Sequence, residues 1–128
     1  MPLNILTGPI IAAGESLSDG IDCDGGDVVR LTLPADWTDA LLTFQISTDG
    51  AFYNDLIDRY GDEISVVVVP GAAIIVPNDY LRAAGWLKFR SGSRSHPVPQ
   101  QAQREFAITL ATGSAVTSEP AINIKLVP

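Results

Sequence analysis

Residues 40–57, Ala-Leu-Leu-Thr-Phe-Gln-Ile-Ser-Thr-Asp-Gly-Ala-Phe-Tyr-Asn-Asp-Leu-Ile, alternate apolar with polar, break at Thr48-Asp49-Gly50, and resume a strand-like pattern. A period of two sends successive side chains to opposite faces of a strand, and Asp-Gly is a turn dipeptide, so the segment predicts a β-hairpin. Leu42, Phe44 and Ile46 fall on one face and Thr43, Gln45 and Ser47 on the other. Further along, Leu87 and Phe89 oppose Lys88 and Arg90, and Phe106, Ile108 and Leu110 oppose Glu105, Ala107 and Thr109. Ile122, Ile124 and Leu126 likewise oppose Asn123 and Lys125. The apolar member of each set is the expected core.

Short runs of this kind, separated by Gly, Pro, Asp and Asn, recur from end to end, and no amphipathic stretch of period 3.6 reaches helical length. Strands are predicted over residues 3–6 with continuation through 11, then 28–33, 41–47, 52–57, 63–69, 72–76, 86–90, 105–111 and 121–127. Eight to nine short strands at this spacing predict an all-β fold, a jelly-roll-like antiparallel β-sandwich. Residues 60–62 and 69–71 read as turns, the first closing a second hairpin. Residues 77–82 hold the one plausible helical turn, with Asn78 or Asp79 as its N-cap. The polar stretch 91–103, with Gly92, Pro97 and Pro99, reads as a long loop, and 112–120 as another. Residues 66–69, four consecutive valines, break the alternation as a strand covered on both faces would. The cover is either a loop over a central strand or a subunit interface.

Composition then narrows the class. With 128 residues, 46% hydrophobic and 18% charged, the chain is too apolar for disorder and of a size for one domain, 1–128. Its termini, 1–26 and 112–128, are either first and last strands or extended segments; residues 5–13 and 122–127 are apolar enough to bridge neighbouring subunits. The net charge of −7, with eight Lys and Arg, argues against a nucleic-acid partner and against an anionic membrane. Cys23 is the sole cysteine, which excludes an intrachain disulfide and a four-cysteine zinc site. No run approaches the ~20 apolar residues of a membrane helix, and the opening Met-Pro-Leu-Asn does not read as a signal peptide.

Candidate chemistry is sparse. Residues 15–27 gather carboxylates and glycines, and Asp19, Asp22, Asp24 and Asp27 are candidates for Ca²⁺, a cation that takes six to eight oxygens. Their spacing does not follow an EF-hand, and a solvated, turn-rich loop is the simpler reading. No cofactor is expected. His96 is the only histidine and lies between Ser95 and Pro97, without a Gly-x-Ser-x-Gly elbow, so no catalysis is expected from it. Asp55, Asp58, Asp62 and Glu63 form a glycosidase pair only if two of them face one another across a cleft; acidic residues around a hairpin more often shape turns. Trp37, Tyr53, Tyr60, Tyr80 and Trp86 supply aromatic surfaces for stacking on a sugar or fillers for a β core; Tyr53 and Tyr60, flanking hairpins, are the better candidates for a sugar or partner contact, whereas Trp86, beside Leu87 and Phe89, is expected to pack. Arg82, Lys88, Arg90, Arg94 and Arg104 make one stretch locally basic; Arg90 and Arg94 are candidates for contact with an acidic region of another copy, the alternative being pairing within the chain.

Residues 36–56, Asp-Trp-Thr-Asp-Ala-Leu-Leu-Thr-Phe-Gln-Ile-Ser-Thr-Asp-Gly-Ala-Phe-Tyr-Asn-Asp-Leu, with Leu-Lys-Phe-Arg-Ser-Gly at 87–92 and Pro-Val-Pro-Gln-Gln-Ala at 97–102, resemble small virion structural proteins of tailed bacteriophages, of the head-decoration or head-fibre-associated β-sandwich kind. The resemblance covers residues 36–110. It implies a non-enzymatic virion protein that self-associates as a homo-oligomer and binds other virion proteins, the major capsid protein or a fibre, through loops or termini. Hairpins of this composition also occur in carbohydrate-binding sandwiches, so a sugar-binding module using exposed aromatics remains the alternative.

Overall fold

The computed structural model describes residues 3–77, 80–82 and 84–112. They form nine strands: β1 (Leu3–Ile11), β2 (Ile21–Asp22), β3 (Asp27–Thr32), β4 (Leu42–Ser47), β5 (Asn54–Asp55), β6 (Ser65–Val66), β7 (Ala73–Ile75), β8 (Trp86–Ser91) and β9 (Arg104–Ala111). No helix occurs among the described residues. One sheet has the order β1-β9-β3-β7; the other runs β2-β8-β4-β5, with β6 pairing further along the same rim of β4. Every strand ladder is antiparallel, and the fold is the all-β sandwich that the alternation predicts.

The inward residues of β4, β8 and β9 make the core. Leu42, Phe44, Leu87, Phe89, Ile108 and Leu110 are fully buried, joined by Ile11, Leu31 and Phe106. Four rings cross it edge to face, Trp37 to Phe106 at 5.4 Å, Phe106 to Phe89 at 4.8 Å and Phe89 to Phe44 at 5.4 Å between centroids. Such geometry sets the positive ring edge against the negative face and adds ~0.5–1.5 kcal/mol per pair to the burial itself. Because Phe106 belongs to β9 and Phe44 and Phe89 to the facing sheet, this ladder ties the two layers together.

Residues 91–103 are a loop, as predicted, but one held by a buried amide. Gln100 is 1% exposed. Its Oε1 accepts the Thr38 N–H at 2.9 Å and the Arg104 Nε–H at 3.0 Å, while its Nε2 donates to Thr38 O at 3.0 Å and Ser91 Oγ at 2.8 Å. With both ends of the amide satisfied, desolvation costs little and the loop is locked to the residues before β4.

Other expectations change. The run 52–57 contributes only the two residues of β5 to the ladder, because Asp49 Oδ1 takes the N–H groups of Ala51 at 2.9 Å and Phe52 at 3.0 Å and prolongs the turn. The valine run is not a central strand under a loop: only Val66 pairs, at the rim of β4, while Val67 and Val69 are 83% and 61% exposed ahead of the Pro70-Gly71 turn. Strand β2, inside the acidic loop, was not predicted. At 77–82 the Tyr80 N–H meets Pro77 O at 3.0 Å in a turn; the N-cap residues Asn78 and Asp79 lie outside the described residues, as does the strand predicted at 121–127.

Candidate functional site

Two surfaces of opposite character lie on the two sides of the sandwich. On the second sheet the outward residues are polar: Lys88, Gln45 and Asp55 share one row, and Arg90 and Thr43 the next. Arg90 is nonetheless only 7% exposed, because the β5 strand and the hairpin after it fold over this face. Its guanidinium pairs with Asp55 and with Glu63, the latter at 2.9 Å, and Glu63 also accepts the Arg94 N–H at 3.2 Å. Gln45 Nε2 donates to Asp55 at 3.1 Å. Burial pushes the Asp55 carboxyl up, but the hydrogen bonds and charge of Arg90, with Gln45 beside it, outweigh that and hold it below the usual carboxylate range.

Of the two alternatives for Arg90, the geometry shows pairing within the chain. Arg94 is exposed, with its backbone N–H on Glu63. Arg104 pairs with Asp36 at 2.8 Å. Tyr53 lies half-buried under the Lys88 ammonium, 4.4 Å from its ring centroid, and partial burial followed by the Asp49 and Asp19 carboxylates raises its phenol above the ordinary value. Tyr60 is 74% exposed.

Tyr60 lines an open groove of about 630 Å³ together with Leu56, Ile57, Asp58, Arg59, Glu63, Ile64, Ser65, Tyr80 and Arg82. The turn that carries Tyr60 is tightly bonded. Asp58 Oδ1 accepts the N–H groups of Tyr60 at 2.8 Å and Asp62 at 3.0 Å, and the Asp58 N–H meets Asp62 O at 2.8 Å. The Arg59 guanidinium sits 4.9 Å from the Tyr60 ring centroid and donates to its hydroxyl at 2.8 Å. Of the four carboxylates considered as a glycosidase pair, Asp55 and Glu63 are bridged by Arg90 and Asp58 holds a turn. Sequence reading misses Arg59; it offers Tyr60 and Tyr80 as aromatic surfaces and Arg82 as part of a basic stretch, with no signal that the three meet in one groove.

The calcium candidates are dispersed. Asp19 Oδ1 accepts the Ile10 N–H and Asp22 Oδ1 the Asp24 N–H, each at 2.8 Å, Asp24 occupies a left-handed turn at φ 51°, and Asp27 opens β3. Among the described residues no three acidic, His or Cys side chains gather as metal ligands would. Cys23, fully buried beside Asp22, has its thiol pushed up to about 11, by desolvation first and the neighbouring carboxylate second. Ser95 Oγ lies 3.1 Å from His96 Nδ1 in an exposed loop, and no carboxylate among the described residues hydrogen-bonds the ring.

No protein-family model matches the chain, and no curated protein matches it in sequence. Function therefore rests on the surfaces themselves.

The outer face of the first sheet is the second surface. Register aligns Leu3, Ala111 and Asp27 in one row, Ile5, Thr109, Arg30 and Ile75 in the next, and Thr7, Ala107, Thr32 and Ala73 in a third. Leu3 is 62%, Ile5 64% and Ile75 83% exposed. Between these apolar flanks lie the small side chains of Thr109, Ala107, Ala111 and Thr32, interrupted by the exposed Arg30 in the middle row and Asp27 in the first. The two rim strands, β1 and β7, carry its large apolar residues.

Proposed function

We propose that this chain is a non-enzymatic structural protein of a tailed-phage virion, a capsid decoration or head-fibre base protein, whose copies associate through the outer face of the first sheet. The exposed trio of Leu3, Ile5 and Ile75 across registered rows carries the association. Leu3 and Ile5 on one rim and Ile75 on the other flank the face, with Thr109 and the exposed Arg30 between them, and exposed large apolar side chains gathered on one face favour an interaction surface. Its three rows hold only Asp27 and Arg30 as charges, so two copies of a chain with net charge −7 meet there with little repulsion. The virion address and the shell contact, through loops or termini, rest on the resemblance of residues 36–110. Sedimentation velocity on the parent and on Ile5→Asp and Ile75→Asp, followed by co-sedimentation with tailed-phage capsids, tests both halves. The parent is expected to self-associate and to pellet with capsids, and each variant to shift toward monomer. A strictly monomeric parent that ignores capsids removes the proposal.

A second reading, carbohydrate binding, is favoured by one observation: the groove beside Tyr60 joins an exposed aromatic ring to polar groups on a rigid turn. Binding sites of this size that combine apolar and aromatic side chains with a few fixed polar groups suit a small ligand. A glycan array, with Tyr60→Ala as control, tests it.

A further inference from the structure

The groove contains four charged side chains, and they are not equivalent. Glu63 is committed to Arg90 Nη1 and to the Arg94 N–H. Asp58 spends its Oδ1 on two backbone N–H groups of its own turn. The two arginines are different. Arg59 uses one Nη to reach the Tyr60 hydroxyl, which leaves the remaining donors of its fork. Arg82 is exposed and makes no ion pair or side-chain hydrogen bond with any other described residue. What the groove offers an anion is the spare donors of these two arginines, next to Tyr60, Tyr80, Leu56, Ile57 and Ile64; Asp58 keeps its second carboxylate oxygen, so the lining holds both signs.

Guanidinium forks match the two oxygens of a carboxylate, and tyrosine rings match the C–H face of a pyranose. We infer that the groove takes an acidic sugar, a pyranose carrying a carboxylate, with Tyr60 stacking on the ring and Arg82 and Arg59 holding the carboxylate. The inference rests on the carbohydrate-binding reading and adds the charge of the ligand and the residues that read it. Asp58 organises the site without touching the ligand, by fixing the turn through the N–H groups of Tyr60 and Asp62. The Arg59 guanidinium, held against the Tyr60 ring, comes pre-placed, so little rotamer freedom is lost when a ligand arrives.

The test uses the full chain and saturation-transfer NMR with four probes: N-acetylneuraminic acid, glucuronic acid, glucose and inorganic phosphate. At least one acidic sugar is expected to bind saturably, with glucose and phosphate weaker by about tenfold or more, the worth of one charge-assisted bidentate contact. Arg82→Ala and Tyr60→Ala are each expected to weaken the acidic sugar by about tenfold, with circular dichroism unchanged because both side chains are exposed. Glucose binding as well as the acidic sugars overturns the assignment of charge and leaves sugar binding standing. Phosphate binding equally well, with Tyr60→Ala silent, reduces the site to a plain anion patch and overturns the inference. No binding of any sugar removes both the inference and the reading beneath it.

Discussion

Arg90→Met removes the cation from between two carboxylates and leaves its aliphatic bulk in place. Arg90 is 7% exposed on the second-sheet strand β8, and its partners Asp55 and Glu63 have side chains 28% and 15% exposed. Breaking one side of a buried ion pair costs ~3–5 kcal/mol, because the abandoned charge stays out of water. Asp55 is accessible enough to recover part of its hydration, so the expected loss is about 2–4 kcal/mol, a fall in Tm of roughly 10 °C for a chain of this length. Urea unfolding followed by the fluorescence of the buried Trp37 and half-buried Trp86 measures it. The informative comparison is Arg90→Met with Asp55→Asn and Glu63→Gln, which removes all three charges and is expected to return to within ~1 kcal/mol of the parent. A single variant that costs less than about 0.5 kcal/mol, or a triple variant no more stable than the single one, refutes the assignment of the penalty to stranded charge. The same network predicts an acid limb. Asp55 binds its proton less readily folded than unfolded, so its contribution is fully present above the unfolded value near pH 4 and is lost as the pH falls below it. In Arg90→Met that limb is expected to flatten.

Cys23 predicts the opposite limb: its thiol holds its proton to about pH 11 in the fold, so stability is full below pH ~9 and declines by ~2–3 kcal/mol as the pH rises toward 11, a decline absent in Cys23→Ala by urea titration. The same burial predicts no reaction with a thiol reagent until the chain unfolds. Phe89→Ala, which strips the middle ring from the ladder between the sheets, is expected to cost ~3–5 kcal/mol by thermal melt, and a loss under 1 kcal/mol would place the ladder outside the core. Gly85→Ala sets a methyl 2.6 Å from the Ser47 carbonyl oxygen at φ 72° and is expected to cost about 2–4 kcal/mol, against ~1 kcal/mol for Gly14→Ala, at φ 81° with open space around it. Equal melts for the two would mean that the close approach of Gly85 to β4 does not persist in solution.

The sandwich was legible because β4, β8 and β9 keep a strict period of two, and Leu42, Phe44, Leu87, Phe89, Phe106 and Ile108 are where that period puts them. What escaped the pattern were residues whose surroundings come from elsewhere in the chain. Arg90 and Thr43 sit at outward positions and would face water in a two-layer sandwich, but the hairpin from Asn54 to Glu63 folds over them, and Thr43 Oγ1 donates to Gly92 O at 2.7 Å. Gln100 read as loop polarity because nothing local announces that Thr38, Ser91 and Arg104 converge on it. The groove was half legible: Tyr60 stood out beside its turn, while Tyr80 and Arg82 arrive through a connection some twenty residues later. In the sequence Leu3 and Ile75 are ordinary strand residues and Ile5 belongs to an apolar segment that either bridges subunits or forms the first strand; only register across four strands reveals that the three share a face.

The two sheets stand back to back across one core, with the apolar face on one and the polar, groove-bearing hairpin on the other. A lattice built by pressing the apolar faces against neighbours would array many grooves in fixed orientations. Sites that hold a ligand too weakly to matter one at a time then act together, since each further contact is made at the high effective concentration set by the lattice. Avidity in such an array is a property of the packing, and a substitution at Ile5 or Ile75, far from Tyr60, would weaken capture of a multivalent surface without altering the affinity of a single groove.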